Sequence, residues 1–223
     1  MEVEDCSMSI PVTLGKTDTP VVFIHGSNTL DPINTWAAQR DLADQYQLRL
    51  LSRRGYGTSP ERTAISFDLD VQDTIVALAP GAHLIGFSYG GVIALLVAGQ
   101  RPDLIRSLTV IEPPAFSLVR GHPAVEELIS RLQPIFGAIP DIQPATFWTQ
   151  FLVACGLPPR VLPRLSSRQE QAIKAMMYEP PPWQAVIPVD VLATAPFPKL
   201  VVAGGERPPS LLDTATRIAG REL

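Results

Sequence analysis

Hydrophobic and polar positions fall in blocks along this chain rather than at one steady period. Five short runs are apolar at nearly every position: residues 20–24 (PVVFI), 48–52 (LRLLS), 83–87 (HLIGF), 107–111 (SLTVI) and 200–203 (LVVA). Runs this brief, without polar alternation, predict strands buried on both faces, as in a parallel sheet. Residues 7–14 are read as an added N-terminal strand. Between the runs lie helix-like segments. Residues 36–46 bring Trp36, Leu42 and Tyr46 near one face, residues 67–78 show a rougher helical pattern, and residues 89–100 are apolar nearly all round, as a buried helix is. Strand alternating with helix predicts an α/β fold built on a doubly wound, mostly parallel sheet.

The rhythm then changes. Residues 115–198 contain no good strand. Helical patches at 123–136, 145–155, 167–178 and 183–193 are separated by prolines. The first three predict a helical lid inserted after the strand that ends near Glu112, and the last a return helix to the sheet. The predicted division is a core of residues 1–114 and 196–223 and a lid with its return helix over 115–195.

Composition narrows the function classes. A hydrophobic content of 46% with 18% charged residues describes a globular chain. The net charge of −4 favours neither nucleic acid nor an anionic membrane surface as partner. No apolar run reaches the ~18 residues of a membrane span. The acidic start, MEVEDCSMSI, is unlike a secretory signal, so a cytoplasmic chain is expected. Cys6 and Cys155 are too few and too far apart for a disulfide framework or a metal cluster, and read as free thiols. No metal or organic cofactor is implied.

The chemistry gathers where strands end. Gly86-Phe87-Ser88-Tyr89-Gly90 fits G-x-S-x-G between a predicted strand and a predicted helix. A serine there occupies a sharp turn that lifts its hydroxyl out of the sheet, and Gly86 and Gly90 are needed because larger side chains would collide. A serine that only N-caps the next helix gives the same letters; the strand-to-helix setting favours the nucleophile elbow. An elbow needs two amide donors for an oxyanion. Tyr89 follows the nucleophile and supplies one. His25-Gly26-Ser27-Asn28 follows an earlier strand, and Ser27 is the candidate for the other. His25 is read as a structural residue of this loop. Phe136, Phe147, Trp148, Phe151, Met176, Met177, Tyr178 and Trp183 could line an apolar pocket, although each could equally pack the lid on the sheet.

The segments VVFIHGS, SRRGYGTSP, HLIGFSYGG and SLTVIEPPAF, with KLVVAGGERPP later, resemble the α/β-hydrolase fold family in its lidded branch of esterases, epoxide hydrolases and cofactor-free haloperoxidases. The resemblance is dense over residues 20–116. It implies acyl transfer, since a serine rather than an aspartate stands at the elbow. It also places an acid after a late strand. Gly204-Gly205-Glu206-Arg207-Pro208 lacks the usual aspartate, so Glu112 is preferred, ahead of Glu206, with Asp213 third.

The family order of nucleophile, acid, histidine implies a base near the chain's end, yet the three histidines are His25, His83 and His122. His83 starts its strand, roughly 16 Å from Ser88 at ~3.3 Å per residue, and His122 is a poor candidate at the start of the lid. The base is therefore unassigned. The resemblance places the helix before the last strand at residues 217–223, so truncation, a non-catalytic chain and an unusual base stay open, in that order. The expected activity is hydrolysis of a small carboxylic ester, with a small-molecule binding or scaffold protein on the same fold as the alternative. The expected partner is a small-molecule substrate, and a missing last strand would leave a sheet edge suited to homodimer formation.

Overall fold

In the computed structural model the described residues are 11–57, 64–139, 141–159 and 164–204. Six strands form one sheet among them: β1 (Val12–Leu14), β2 (Pro20–Ile24), β3 (Gln47–Leu51), β4 (Ala82–Phe87), β5 (Ile105–Ile111) and β6 (Lys199–Val202). Their order is β1-β3-β2-β4-β5-β6. β1 is antiparallel to β3 and the other pairs are parallel. The five apolar runs are thus the parallel strands, shifted by no more than two residues at either end. Of the added N-terminal strand, residues 12–14 pair, and residues 7–10 lie outside the described residues.

Both faces of the sheet are covered because successive strand residues point to opposite sides. Val22 and Ile24 of β2 join Leu84, Leu108 and Val110 in a core shared with the helix after β4. Val21 and Phe23 face the other way and pack with Leu48, Leu50 and Trp36. The helices are α1 (Pro32–Thr35), α2 (Phe67–Leu78), α3 (Tyr89–Gln100), α4 (Pro123–Gly137), α5 (Pro144–Ala154), α6 (Ser167–Tyr178) and α7 (Val189–Thr194). α3 runs through the first core and buries residues all round, as its uninterrupted apolar sequence demands.

Between β5 and β6 the chain builds a second apolar cluster. Val125, Leu128, Ile129 and Leu132 recur at helical spacing along one face of α4. They pack with Phe147 of α5 and with Ile173, Met176 and Met177 of α6. α6 begins with a reciprocal cap in which the Ser166 hydroxyl accepts from the Gln169 amide and the Gln169 side chain accepts from Ser166 N–H.

Two expected helices differ. Residues 37–44 (AAQRDLAD) form a 3-10 segment with no side-chain cap and no buried residue, so nothing apolar stabilises a full α-helix there. Trp36 alone is buried, with its ring centroid 4.9 Å from that of Phe23, while Leu42 is exposed. The return helix is split. Pro188 cannot donate a helical hydrogen bond, so a 3-10 turn at Pro182–Gln184 and the short α7 replace one continuous helix.

Candidate active site

Ser88 is the single residue between β4 and α3, with φ 53° and ψ −124°. A positive φ is rare for a side-chain-bearing residue, and such strain persists only where neighbours over-determine it. The neighbours are visible. Ser88 N–H donates to the Ile111 carbonyl at 2.8 Å, and Gly91 N–H donates to the Ser88 carbonyl at 2.8 Å. A Cβ on Gly90 would stand 2.4 Å from the Ile24 carbonyl oxygen, and one on Gly86 would stand 2.3 Å from the Gly90 carbonyl oxygen. Only glycine lets the turn nest this tightly against β2.

The loop after β2 lies directly against the serine. A Cβ added to Gly26 would come within 2.8 Å of Ser88 Cβ and 3.3 Å of its Oγ. His25 anchors that loop from below. Its Nε2 accepts from the Arg53 backbone N–H at 3.0 Å, which leaves the proton on Nδ1 to be donated to the Gly26 carbonyl at 2.7 Å. Burial, helped by the Arg53 charge, lowers its pKa to about 3. Both ring nitrogens are thus engaged within the fold, and the ring is held neutral.

Beside this loop lies a buried charge cluster that sequence reasoning missed. Arg53 pairs with Asp70 of α2 at 2.8 Å and with Glu179, just past α6, at 2.8 Å. Glu179 also accepts from the Ser27 hydroxyl and, at 2.6 Å, from the Tyr56 hydroxyl. The Arg53 guanidinium lies 4.5 Å from the Tyr89 ring centroid, and the Tyr89 hydroxyl donates to the Pro180 carbonyl at 2.9 Å. A second pair, Arg54 with Asp73 at 2.8 Å, is buried alongside. Burial raises the pKa of Glu179 and of Asp70, against the lowering by Arg53. The adjacent Arg53-Arg54 is the one available signal, because a buried arginine must find carboxylates. Nothing in the sequence marks Glu179 as a partner.

Glu112 follows β5 with φ 48°. Its N–H donates to the Val202 carbonyl at 2.8 Å, and its Oε1 accepts from Gly204 N–H at 3.0 Å. The ends of β5 and β6 are thereby tied together beside Ser88. Glu206 and Asp213, the other candidate acids, lie outside the described residues. His83 donates to or accepts from the Ser107 hydroxyl at 2.7 Å, near the start of β4 and away from the elbow. His122 is the N-cap of α4. Among the described residues no group of three potential ligands could hold a metal, and no helix is long and apolar enough to cross a membrane.

A cavity of about 310 Å³ opens on Ser88. Ser27, Ser88, Tyr89 and Glu112 line its core side, and Leu128, Leu132, Phe136, Trp148, Phe151, Met176 and Trp183 its lid side. Of the expected pocket residues, Phe147 and Met177 are instead buried within the lid, and Tyr178 is exposed. Among the described residues no histidine lines the cavity.

A model of the alpha/beta hydrolase family matches residues 21–223. The chain belongs to that family. Among curated relatives it is 30% identical over 116 residues to a pimeloyl-[acyl-carrier protein] methyl ester esterase of Klebsiella pneumoniae, covering 51% of this chain and 44% of that protein. It is 27% identical over 133 residues to a probable lysophospholipase, BODYGUARD 1, of Arabidopsis thaliana, covering 55% of this chain and 28% of that protein. The chain thus spans less than half the length of these relatives. Among solved structures, an alpha/beta hydrolase from Sphaerobacter thermophilus superposes with TM-score 0.68 at 22% identity, covering 94% of this chain and 83% of that one. A hydrolase from Pseudomonas aeruginosa superposes with TM-score 0.66 at 19% identity, covering 94% and 81%. At such identities these structures speak for the α/β-hydrolase fold of the family, whose mostly parallel sheet and flanking helices this chain has.

Proposed function

We propose that this chain hydrolyses a small carboxylic ester, with Ser88 as nucleophile. One observation carries the reading: a strained Ser88, at φ 53°, stands at the mouth of a mostly apolar cavity with the loop after β2 pressed against it. Ser88 Oγ attacks the ester carbonyl, the acyl C–O bond breaks, and the alcohol departs with the serine's proton; water then cleaves the acyl-serine, giving the carboxylic acid and restoring the hydroxyl. The amides of Tyr89 and Ser27 are the oxyanion donors, aimed where negative charge develops. Glu112, held on the Gly204 amide, is the acid of this reading, and the base it would orient is unassigned. Esterase relatives support ester chemistry in general.

A second reading, small-molecule binding without turnover, is favoured by the placement of the histidines. His25 is locked neutral, His83 pairs near the start of its strand, and His122 caps α4 outside the cavity lining. Turnover of a short-chain chromogenic ester by the wild-type chain and by Ser88→Ala separates the two. A wild-type rate at least ~100-fold above the variant supports hydrolysis. Equal rates end it for this chain and leave the binding reading.

A further inference from the structure

The loop after β2 is pinned from the sheet side at residues 25, 26 and 29. His25 Nε2 accepts the Arg53 backbone N–H at 3.0 Å, and the Gly26 carbonyl accepts from the His25 ring at 2.7 Å and from the Thr29 hydroxyl at 3.1 Å. Ser27 and Asn28, between these anchors, are held from the lid side by one carboxylate. The Ser27 hydroxyl donates to Glu179 Oε2. The Tyr56 hydroxyl donates to Glu179 Oε1 at 2.6 Å and receives the Asn28 backbone N–H. Asn28 needs such a hold, because its φ of 54° is one that side-chain-bearing residues seldom adopt.

Glu179 is itself fixed. Its Oε1 lies 2.8 Å from Arg53 Nη1, and its backbone N–H closes the last turn of α6 on the Ala175 carbonyl at 3.1 Å. Arg53 balances its charge, so its use here is geometric: each oxygen accepts a hydroxyl that leads to one of two consecutive loop residues. Those residues adjoin the nucleophile. Ser27 lines the cavity with Ser88, and a Cβ on Gly26 would stand 3.3 Å from Ser88 Oγ. So close to the reacting atoms, a displacement of about 1 Å costs ~100-fold in rate.

Resting on the reading of Ser88 as nucleophile, we propose that Glu179 is a positioning residue for the reaction: the bond it receives from Ser27 sets the loop so that the Ser27 amide faces the oxygen that becomes negative above Ser88. The oxyanion site is thus completed from the lid, since α6 delivers Glu179 to the loop.

The test compares the wild-type chain with Ser88→Ala, Ser27→Ala, Ser27→Thr, Glu179→Gln and the double variant Ser27→Ala/Glu179→Gln. One readout is turnover of p-nitrophenyl butyrate. The other is affinity for butylboronic acid, followed by boron NMR. The Ser88 hydroxyl oxygen bonds to boron, its proton leaves to water, and the tetrahedral adduct presents a boron-bound oxygen where the oxyanion would form. In Ser27→Ala, kcat is expected to fall ~10–100-fold with KM changed less than ~3-fold, and boronic acid affinity to fall at least ~10-fold. Ser27→Thr, which keeps a hydroxyl, should return to within ~3-fold of wild type, a rescue that a general loss of packing would not show. Glu179→Gln should lose in the same direction, and the double variant should be no more than ~3-fold worse than it. If Glu179→Gln does not fold, the two Ser27 variants decide. Ser27→Ala within ~3-fold of wild type, a loss confined to KM, no rescue by threonine, or losses that multiply in the double variant would each overturn the proposal. If no turnover is seen, the boronic acid affinities decide alone. A wild-type chain that neither turns over nor binds the boronic acid more tightly than Ser88→Ala overturns the Ser88 reading and this proposal with it. Tight binding that ignores Ser27→Ala overturns this proposal and keeps that reading.

Discussion

Removing one oxygen atom, in Tyr56→Phe, tests whether the buried charge cluster holds the lid to the core. The Tyr56 hydroxyl is fully buried, donates to Glu179 at 2.6 Å, and receives the backbone N–H of Asn28 in the loop beside Ser88. A hydrogen bond to a buried charge is worth ~1.5–3 kcal/mol, and phenylalanine fills the same space without a cavity. The expected loss is therefore ~1.5–3 kcal/mol. At ~2–4 °C per kcal/mol for a chain this size, the melting temperature falls by about 3–12 °C. Glu179→Ala should cost more, ~3–5 kcal/mol, because it leaves two hydroxyls without their acceptor and removes one of the two carboxylates paired with the buried Arg53. In the double variant the orphaned Tyr56 hydroxyl no longer exists. The two losses should then sum to ~1–3 kcal/mol more than the double variant loses. Urea titrations of the four proteins measure the cycle. A Tyr56→Phe loss below ~0.5 kcal/mol, or strictly additive losses, would refute the cluster as a fastener.

Other consequences follow from the elbow and its loop. Ser88→Gly should gain about 1 kcal/mol in stability over Ser88→Ala, since glycine tolerates φ 53° and alanine does not; equal urea midpoints would argue against strain. Gly90→Ala, with its Cβ 2.4 Å from a β2 carbonyl, should lose ~3 kcal/mol or more, and a near-native midpoint would contradict the packing. His25 should stay neutral in the folded chain until pH falls to about 3. Its folded pKa lies below the ordinary value of ~6.5, so its stabilising effect is complete above that value and is lost as pH falls toward 3. Imidazole resonances followed by NMR should show no His25 midpoint between pH 7 and 4; a midpoint near 6 would show the ring exposed to solvent.

The parallel strands and the tight turn at Ser88 were legible because each depends on local features: short apolar runs, and glycines two residues either side of Ser88. The helical patch at 123–136 likewise became α4, with residues 125, 128, 129 and 132 on its buried face. Legibility failed where a long-range partner decides the outcome. Residues 36–46 have helical spacing, but only Trp36 is buried, while Ala43 and Tyr46 pack partly buried against the same cluster. Glu179 looks like a surface residue at a helix end, and its burial follows from Arg53, 126 positions earlier, which cannot stay buried without it. Which lid aromatics face Ser88 also depends on how α4, α5 and α6 pack together. Hence Phe147 and Trp148, adjacent in sequence, have different fates: one fills the lid's interior and the other lines the cavity.

The bond between Glu179 and Arg53 also redraws where one module stops and the other begins. By sequence, the lid runs to residue 195, and a chimera-builder would exchange everything up to it. By energetics, Glu179 and Pro180 are part of the sheet-based core, since they carry the contacts to Arg53, Ser27, Tyr56 and Tyr89. α4 and α5 form the replaceable portion, and a graft that crosses over after α5 rather than after α7 keeps the fastener native. Lineages that recombine lids on such a body would be free to vary the cavity's ceiling while inheriting the carboxylate at position 179 with the core.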